Sequence, residues 1–208
     1  MKTIRALTTI LLFTASLSAC GSSPEPTYFA LSPTESAARS SGPRLVKIRK
    51  PGLAGYLDRA NIVKRVVDNR LKISTDERWA EPLGDMLGRV LAQDLGVRMP
   101  GSLFFGEDGA IGVDPDALLE VNVERLDVGD DGDVVLLAQV AVEVPTSHAP
   151  PLSKSVTLRA KPNGSDTESV VAAASSVVGQ LSDVCAAMLR AAPPPAPLAP
   201  SAASSGAG

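Results

Sequence analysis

The side chains whose types could do chemistry are two thiols, one imidazole and a run of carboxylates. The run Asp127-Val128-Gly129-Asp130-Asp131-Gly132-Asp133 invites comparison with a calcium loop. Counted from Asp127, the third position is Gly129 and the twelfth Ala138, where such a loop needs an oxygen ligand and a bidentate glutamate. A solvated hairpin tip accounts for it better. His148 is the sole histidine and lies in the Pro-flanked stretch Thr146-Ser147-His148-Ala149-Pro150-Pro151. It leaves no two-histidine metal motif, and no Gly-x-Ser-x-Gly elbow accompanies it as a catalytic serine would require. Phosphate-cradling glycine patterns are also missing from the sequence. The residues therefore point away from an enzyme, and neither a metal nor a cofactor is expected.

The two cysteines differ in setting. Cys185 falls on an apolar helical stripe and reads as a small buried hydrophobe. Cys20 follows a leader with two positive charges, Lys2 and Arg5, and an apolar stretch from Ala6 to about Leu17. That layout is a secretory signal peptide over residues 1–19, too short to be the roughly 20-residue helix of a permanent membrane span. Leu17-Ser18-Ala19-Cys20 resembles the bacterial lipobox, in which small residues precede an obligatory cysteine. In that class the thiol receives a diacylglycerol and the chain is cut just before it. Cys20 is then the lipidation site, and its covalent lipid is the only attached group expected. Two or three acyl chains, at about 0.8 kcal/mol per buried methylene, anchor stably where a single one would not. With Cys20 acylated, Cys185 has no intramolecular disulfide partner. Gly21 and Ser22 follow, without the aspartate that in such lipoproteins marks inner-membrane retention, so the resemblance favours the outer membrane.

Removing the leader takes away only positive charges, and the net charge moves from −3 to −5. No electrostatic footprint for nucleic acid is present, nor an evident basic face for anionic headgroups, so the lipid is expected to do the anchoring. Aromatic residues are 3% of the chain, too few for stacking platforms. Residues 20–26 read as a lipidated linker, and 27–190 as one domain. Residues 21–42 look unstructured apart from Tyr28-Phe29-Ala30-Leu31, and 191–208 form a disordered Pro/Ala-rich tail, since such segments bury too little to offset ordering entropy.

Hydrophobic period places the elements. Arg44–Arg49 reads as a strand stopped by Pro51-Gly52, and 62–67 and 70–74 as β runs joined by a hairpin or bend at Asp68-Asn69. Leu83, Met86, Leu87, Val90, Leu91 and Leu95 recur at helical spacing and predict a helix over about 82–97, with Pro82 in its first turn. Residues 119–124 and 134–144 alternate as strands around the Gly129–Gly132 turn, and 152–161 forms another strand. Asp166 or Thr167 can cap a last helix reaching about Arg190. The fold class is α+β: one mixed, mostly antiparallel sheet with two amphipathic helices packed on it.

Two segments carry a family resemblance. Tyr56-Leu57-Asp58-Arg59-Ala60-Asn61-Ile62-Val63, and Arg78-Trp79-Ala80-Glu81-Pro82-Leu83 running into Arg89-Val90-Leu91, resemble the ABC-type transport auxiliary lipoproteins. The best-known branch is the paraquat-inducible protein C (PqiC) group. The patch at 28–31 also fits that family's opening strand. The chain departs from the pattern at Ala60, where a proline is usual, and in its long tail. The resemblance implies a non-enzymatic accessory lipoprotein on the periplasmic face of the outer membrane. It also implies docking to an MCE-domain transport protein of an intermembrane lipid-transport system, and assembly as a homo-oligomeric ring. Tyr56, Leu57, Asp58, Arg59, Arg78, Trp79, Glu81 and Pro82 are its candidate partner contacts. Each has a conformational alternative: a local hydrogen bond for Asp58, complementing the helix N-terminus for Glu81, core packing or a helix staple for Trp79. A lipid-anchored solute-binding component of an ABC importer and a structural envelope lipoprotein are the competing functions.

Overall fold

The computed structural model describes residues 25–39, 42–66, 70–107, 112–147 and 149–194. The signal peptide, Cys20, the Asp68-Asn69 bend, His148 and the tail beyond 194 lie outside those residues. Nine strands are described: β1 (Thr27–Phe29), β2 (Leu45–Ile48), β3 (Gly52–Leu53), β4 (Asn61–Val66), β5 (Arg70–Trp79), β6 (Leu103–Gly106), β7 (Ala117–Val128), β8 (Val134–Glu143) and β9 (Leu152–Ala160). Two helices accompany them, α1 (Leu83–Arg98) and α2 (Thr167–Ala191).

The α+β class and the two helices agree with the sequence, but the strands divide between two sheets instead of lying in one. The larger runs β6-β2-β7-β8-β9, with β3 paired to β7, and the smaller runs β1-β5-β4. Pairing is antiparallel along the long β7–β8–β9 ladders and the β4–β5 hairpin, and parallel where β1, β2, β3 and β6 join. Short β1, β3 and β6 are too brief for alternation to announce them. Pro51-Gly52 does not end the sheet either, because Gly52 and Leu53 resume pairing beside Asn122 and Val123.

The period-2 signal holds along β8, where Val134, Leu136, Ala138, Val140 and Val142 are buried. On β7 the inward set is Ala117, Leu119, Val121 and Val123 until a bulge before Arg125 shifts the parity, after which Leu126 points in. The turn between them closes with the Gly129 N–H donating to the Asp133 carbonyl at 2.7 Å. Gly132 takes φ 83°, the left-handed conformation that glycine adopts without steric cost.

The core lies between this sheet and the helices. α2 rests over β7, β8 and β9, and α1 packs beside it against β6. Asp166 caps α2 by accepting from the Ser169 N–H at 2.8 Å. By length and hydropathy α2 could cross a bilayer, yet Val177, Val178, Leu181, Cys185 and Leu189 are wholly inaccessible beneath it. It is a core helix. Pro82 sits one place earlier than expected: it is the N-cap of α1, and its carbonyl accepts the first helical bond from the Met86 N–H at 3.0 Å.

Candidate functional site

The two motif segments meet at the base of the β4–β5 hairpin. The Trp79 N–H donates to the Ala60 carbonyl at 2.7 Å, and the next amide, Ala80, donates to the Phe29 carbonyl at 2.8 Å. Asn61 lies opposite Arg78 on one side, and Tyr28 beside Arg78 on the other. One short stretch of β5 thus gathers both motifs and β1.

Two of the eight candidate residues are buried, and three others have a partner or a place at the helix entry. Trp79 and Leu57 are buried in the core, and Phe29, paired with Trp79, packs against the same cluster. Core packing is therefore what Trp79 does. The half-buried Tyr56 donates its hydroxyl to Asp127 Oδ2 at 2.9 Å, and Asp127 also receives Arg125 Nε at 2.8 Å. A fully buried carboxylate needs such partners, because an uncompensated charge there is costly. Glu81 is ion-paired with Arg89 on the first turns of α1, beside the positive end of the helix dipole. Pro82 sets the helix entry.

The others face solvent or a partly open seam. Asp58 is exposed, and among the described residues nothing donates the local hydrogen bond expected of it. Arg59 and Arg78 are half-buried, and each has a buried Nε without an acceptor among the described residues. The two arginines immediately precede the residues of the Ala60–Trp79 hydrogen bond, so their backbones are adjacent. Buried donors are ordinarily satisfied, so these two Nε atoms are exceptions within the fold. Tyr28, beside Arg78, is 60% exposed.

Above this seam Lys64 Nζ reaches Glu77 Oε2 at 3.0 Å and Thr167 Oγ1 at 2.6 Å, tying the hairpin to the start of α2. Burial pushes the Glu77 carboxyl up, but hydrogen bonds from Thr167, Ser74 and Lys64 outweigh it and hold the group below its ordinary range.

A second polar cluster was not foreseen from the sequence. Residues 30–39, assigned by composition to an unstructured flank beyond Leu31, run as an extended strap over the two helices. Leu31 is buried, and the Ser32 N–H donates to Ser175 Oγ at 3.1 Å. The Thr34 N–H donates to Asp94 Oδ1 at 2.7 Å, and Ser182 Oγ donates to Asp94 Oδ2 at 3.0 Å. Arg98 donates Nη1 to the Thr34 carbonyl at 3.3 Å, Nη2 to the Gly179 carbonyl at 3.0 Å, and Nε to Asp183 at 2.6 Å. Asp94 and Arg98 occupy positions of the α1 apolar stripe, spaced with Leu91 and Leu95, and both are buried. Charges at stripe positions were the available signal. This network fixes the chain that leads from the N-terminus.

On the sheet face away from the helices, a depression of about 640 Å³ is lined by Arg49, Glu120, Asn122, Gln139, Ser153 and Lys154. Its charged pair, Arg49 and Glu120, bridges itself at 3.0 Å. Cys185 is fully enclosed, and burial pushes its thiol up to about 12, so it is not a nucleophile at neutral pH.

Comparison with known proteins agrees with this architecture. Residues 29–186 match the sequence model of a family described as the ABC-type transport auxiliary lipoprotein component. Among curated proteins, none matches. An uncharacterised protein of known crystal structure superposes at TM-score 0.66 with 20% identity, covering 79% of this chain and 98% of its own. A Xanthomonas campestris protein of family DUF330 superposes at TM-score 0.63 with 18% identity, covering 78% and 95%. These likenesses establish the fold. A PelC dodecamer from Paraburkholderia phytofirmans aligns at a TM-score of only 0.42, too loosely to speak to assembly here.

Proposed function

This chain belongs to the ABC-type transport auxiliary lipoprotein components, and from that premise we propose that it is a non-enzymatic docking subunit, acylated at Cys20 and held on the periplasmic face of the outer membrane. Its partner is an MCE-domain protein of an intermembrane lipid-transport system, which it meets as a homo-oligomeric ring, in keeping with its resemblance to the PqiC group. The observation that carries the docking role is the seam of Arg59 and Arg78, whose Nε donors lack acceptors. Motif residues that served the fold alone would have found partners within it, as Tyr56 and Glu81 do. A carboxylate or carbonyl of the partner would meet the exposed part of these half-buried side chains, not the enclosed Nε atoms themselves.

The test is co-purification of the acylated chain with an MCE-domain protein of the same organism, comparing wild type with Arg59→Ala and Arg78→Ala. Loss of capture by the variants at unchanged thermal midpoint supports the reading. Capture undiminished by either variant refutes the arginine seam, and failure of the wild type to capture refutes the partnership. Mass spectrometry of the same material must find Cys20 acylated and residues 1–19 gone.

A further inference from the structure

The β4–β5 hairpin is held to the body along β4, where Lys64 meets Thr167, and is exposed along the start of β5. Its base is packed, with Ile62 and Val63 buried, but the first four residues of β5 are all exposed. They alternate Arg70, Leu71, Lys72, Ile73. Leu71 is 39% and Ile73 46% exposed, on the opposite face from Arg70 and Lys72. A two-stranded ribbon is marginal in water by itself, and one carrying partly exposed apolar residues gains by meeting a surface.

The position of the anchor says which surface. β1 pairs with β5 in parallel, Thr27 beside Glu77 and Phe29 beside Trp79, so the chain before Thr27 heads toward the N-terminal end of β5, the open end of the hairpin. Seven positions separate Cys20 from Thr27, and seven separate Arg70 from Glu77. Extended chain covers about 3.3 Å per residue, so both spans come to roughly 23 Å. Pro24 and Pro26 bias the preceding residues toward extended conformations. The lipid on Cys20 and the exposed end of the hairpin can therefore reach one plane.

We infer that the start of β5, Arg70 to Ile73, lies against the phosphate-bearing surface of the membrane that holds the lipid anchor. Leu71 and Ile73 enter the boundary between headgroups and acyl chains, while Arg70 and Lys72 reach phosphates along their own aliphatic stems. The overall charge of −5 conceals this local segregation. The contact orients the domain, whereas the acyl chains merely retain it. It rests on acylation of Cys20, proposed above.

The experiment uses the mature acylated chain in vesicles of phosphatidylethanolamine and phosphatidylglycerol. An environment-sensitive dye is attached at Leu71→Cys or, as a control, at Ser155→Cys on exposed β9. The buried Cys185 takes no label. At position 71 the dye should be quenched by spin-labelled lipid and shielded from aqueous iodide, and at 155 the reverse. Arg70→Glu with Lys72→Glu should remove the lipid quenching at 71, and the unmutated hairpin should lose part of it in phosphatidylcholine vesicles. Iodide access at 71 equal to that at 155, in a chain that floats with the vesicles, overturns the proposal while leaving the anchor intact. Shielding at 71 that vanishes below one protein per vesicle assigns the surface to a second copy and also overturns it. A chain that fails to float overturns the anchor and the proposal together.

Discussion

Replacing Gly179 with alanine pits local helix preference against the strap that crosses it. Gly179 lies inside α2, where alanine is favoured over glycine by about 1 kcal/mol. Propensity alone therefore makes the substitution stabilising. The structure reverses the sign. A Cβ there would stand 2.2 Å from Thr34 Oγ1, 2.8 Å from Cγ2 and 2.9 Å from Cβ. Rotating the threonine relieves the first two contacts but not the third, so the strap backbone must lift. Lifting it breaks the bond from the Thr34 N–H to Asp94 and those from Arg98 to the Thr34 carbonyl and hydroxyl. Hydrogen bonds to charged groups are worth about 1.5–3 kcal/mol each. Loss of two of them, less the propensity gain, leaves a net destabilisation of about 2–5 kcal/mol.

Urea titration of the mature domain reads this directly, because Trp79 is the only tryptophan and is buried. In a chain of this size the same change lowers the thermal midpoint by roughly 5–15 °C. Thr34→Gly removes all three contacting atoms, and in that background Gly179→Ala should be neutral or stabilising by up to about 1 kcal/mol. A single Gly179→Ala variant as stable as wild type would show that the strap does not sit on α2. An equal loss in both backgrounds would show that Thr34 is not what the methyl group meets.

Three further outcomes are expected. Tyr56→Phe removes one hydrogen bond from the buried Asp127 while Arg125 remains, so it should cost about 1 kcal/mol, read as a fall of roughly 2–4 °C in the thermal midpoint. Glu77 and Asp166 both have folded pKa values below their unfolded ones, Asp166 through its bonds to Ser169. Their contribution is present above the unfolded values and is lost as pH falls through the folded ones, so the urea midpoint should hold from pH 7 to 5 and decline below about 4. Glu77→Gln should flatten part of that decline. A thiol reagent should find no reactive cysteine in the native acylated chain and one in urea, since Cys185 is enclosed and the proposed acylation would hold Cys20 as a thioether. Two thiols in urea would mean that Cys20 is unmodified.

The sequence disclosed the long elements and hid the short ones for the same reason: periodicity needs length. Val134 to Val142 on β8, and the α2 stripe through Val177, Leu181 and Cys185, are buried as their spacing requires. β1, β3 and β6 have between two and four residues each, and their strand character comes from neighbours supplied by distant chain. The bulge before Arg125 was equally invisible, since only pairing with β8 reveals the parity change. Of the motif residues, spacing could not say which were scaffold. Leu57, Trp79 and Pro82 proved to be fold determinants, and the exposed or unsatisfied remainder, Asp58, Arg59 and Arg78, carries the docking proposal.

Composition failed at residues 32–39 for a more instructive reason. The segment buries little apolar surface, and by the usual balance of burial against chain entropy it should not order. What holds it is a pair of charges on α1 that α1 itself cannot satisfy. Asp94 and Arg98 are buried at stripe positions and lie 3.4 Å apart, yet one ion pair leaves most of their hydrogen-bonding capacity unmet. The strap supplies the missing partners through the Thr34 backbone and hydroxyl, groups that a composition count does not weigh, so the segment looks uninformative in sequence. Buried charge on one element thus predicts an ordered polar segment elsewhere. Here that segment follows β1 and ties the N-terminal part of the domain to both helices. Arg98→Met should therefore release residues 32–39 to rapid proteolysis under conditions where the β7–β8–β9 sheet stays protected from hydrogen exchange. If the sheet lost protection in step with the strap, the two would form one cooperative unit and the division of roles argued from Asp94 and Arg98 would be wrong.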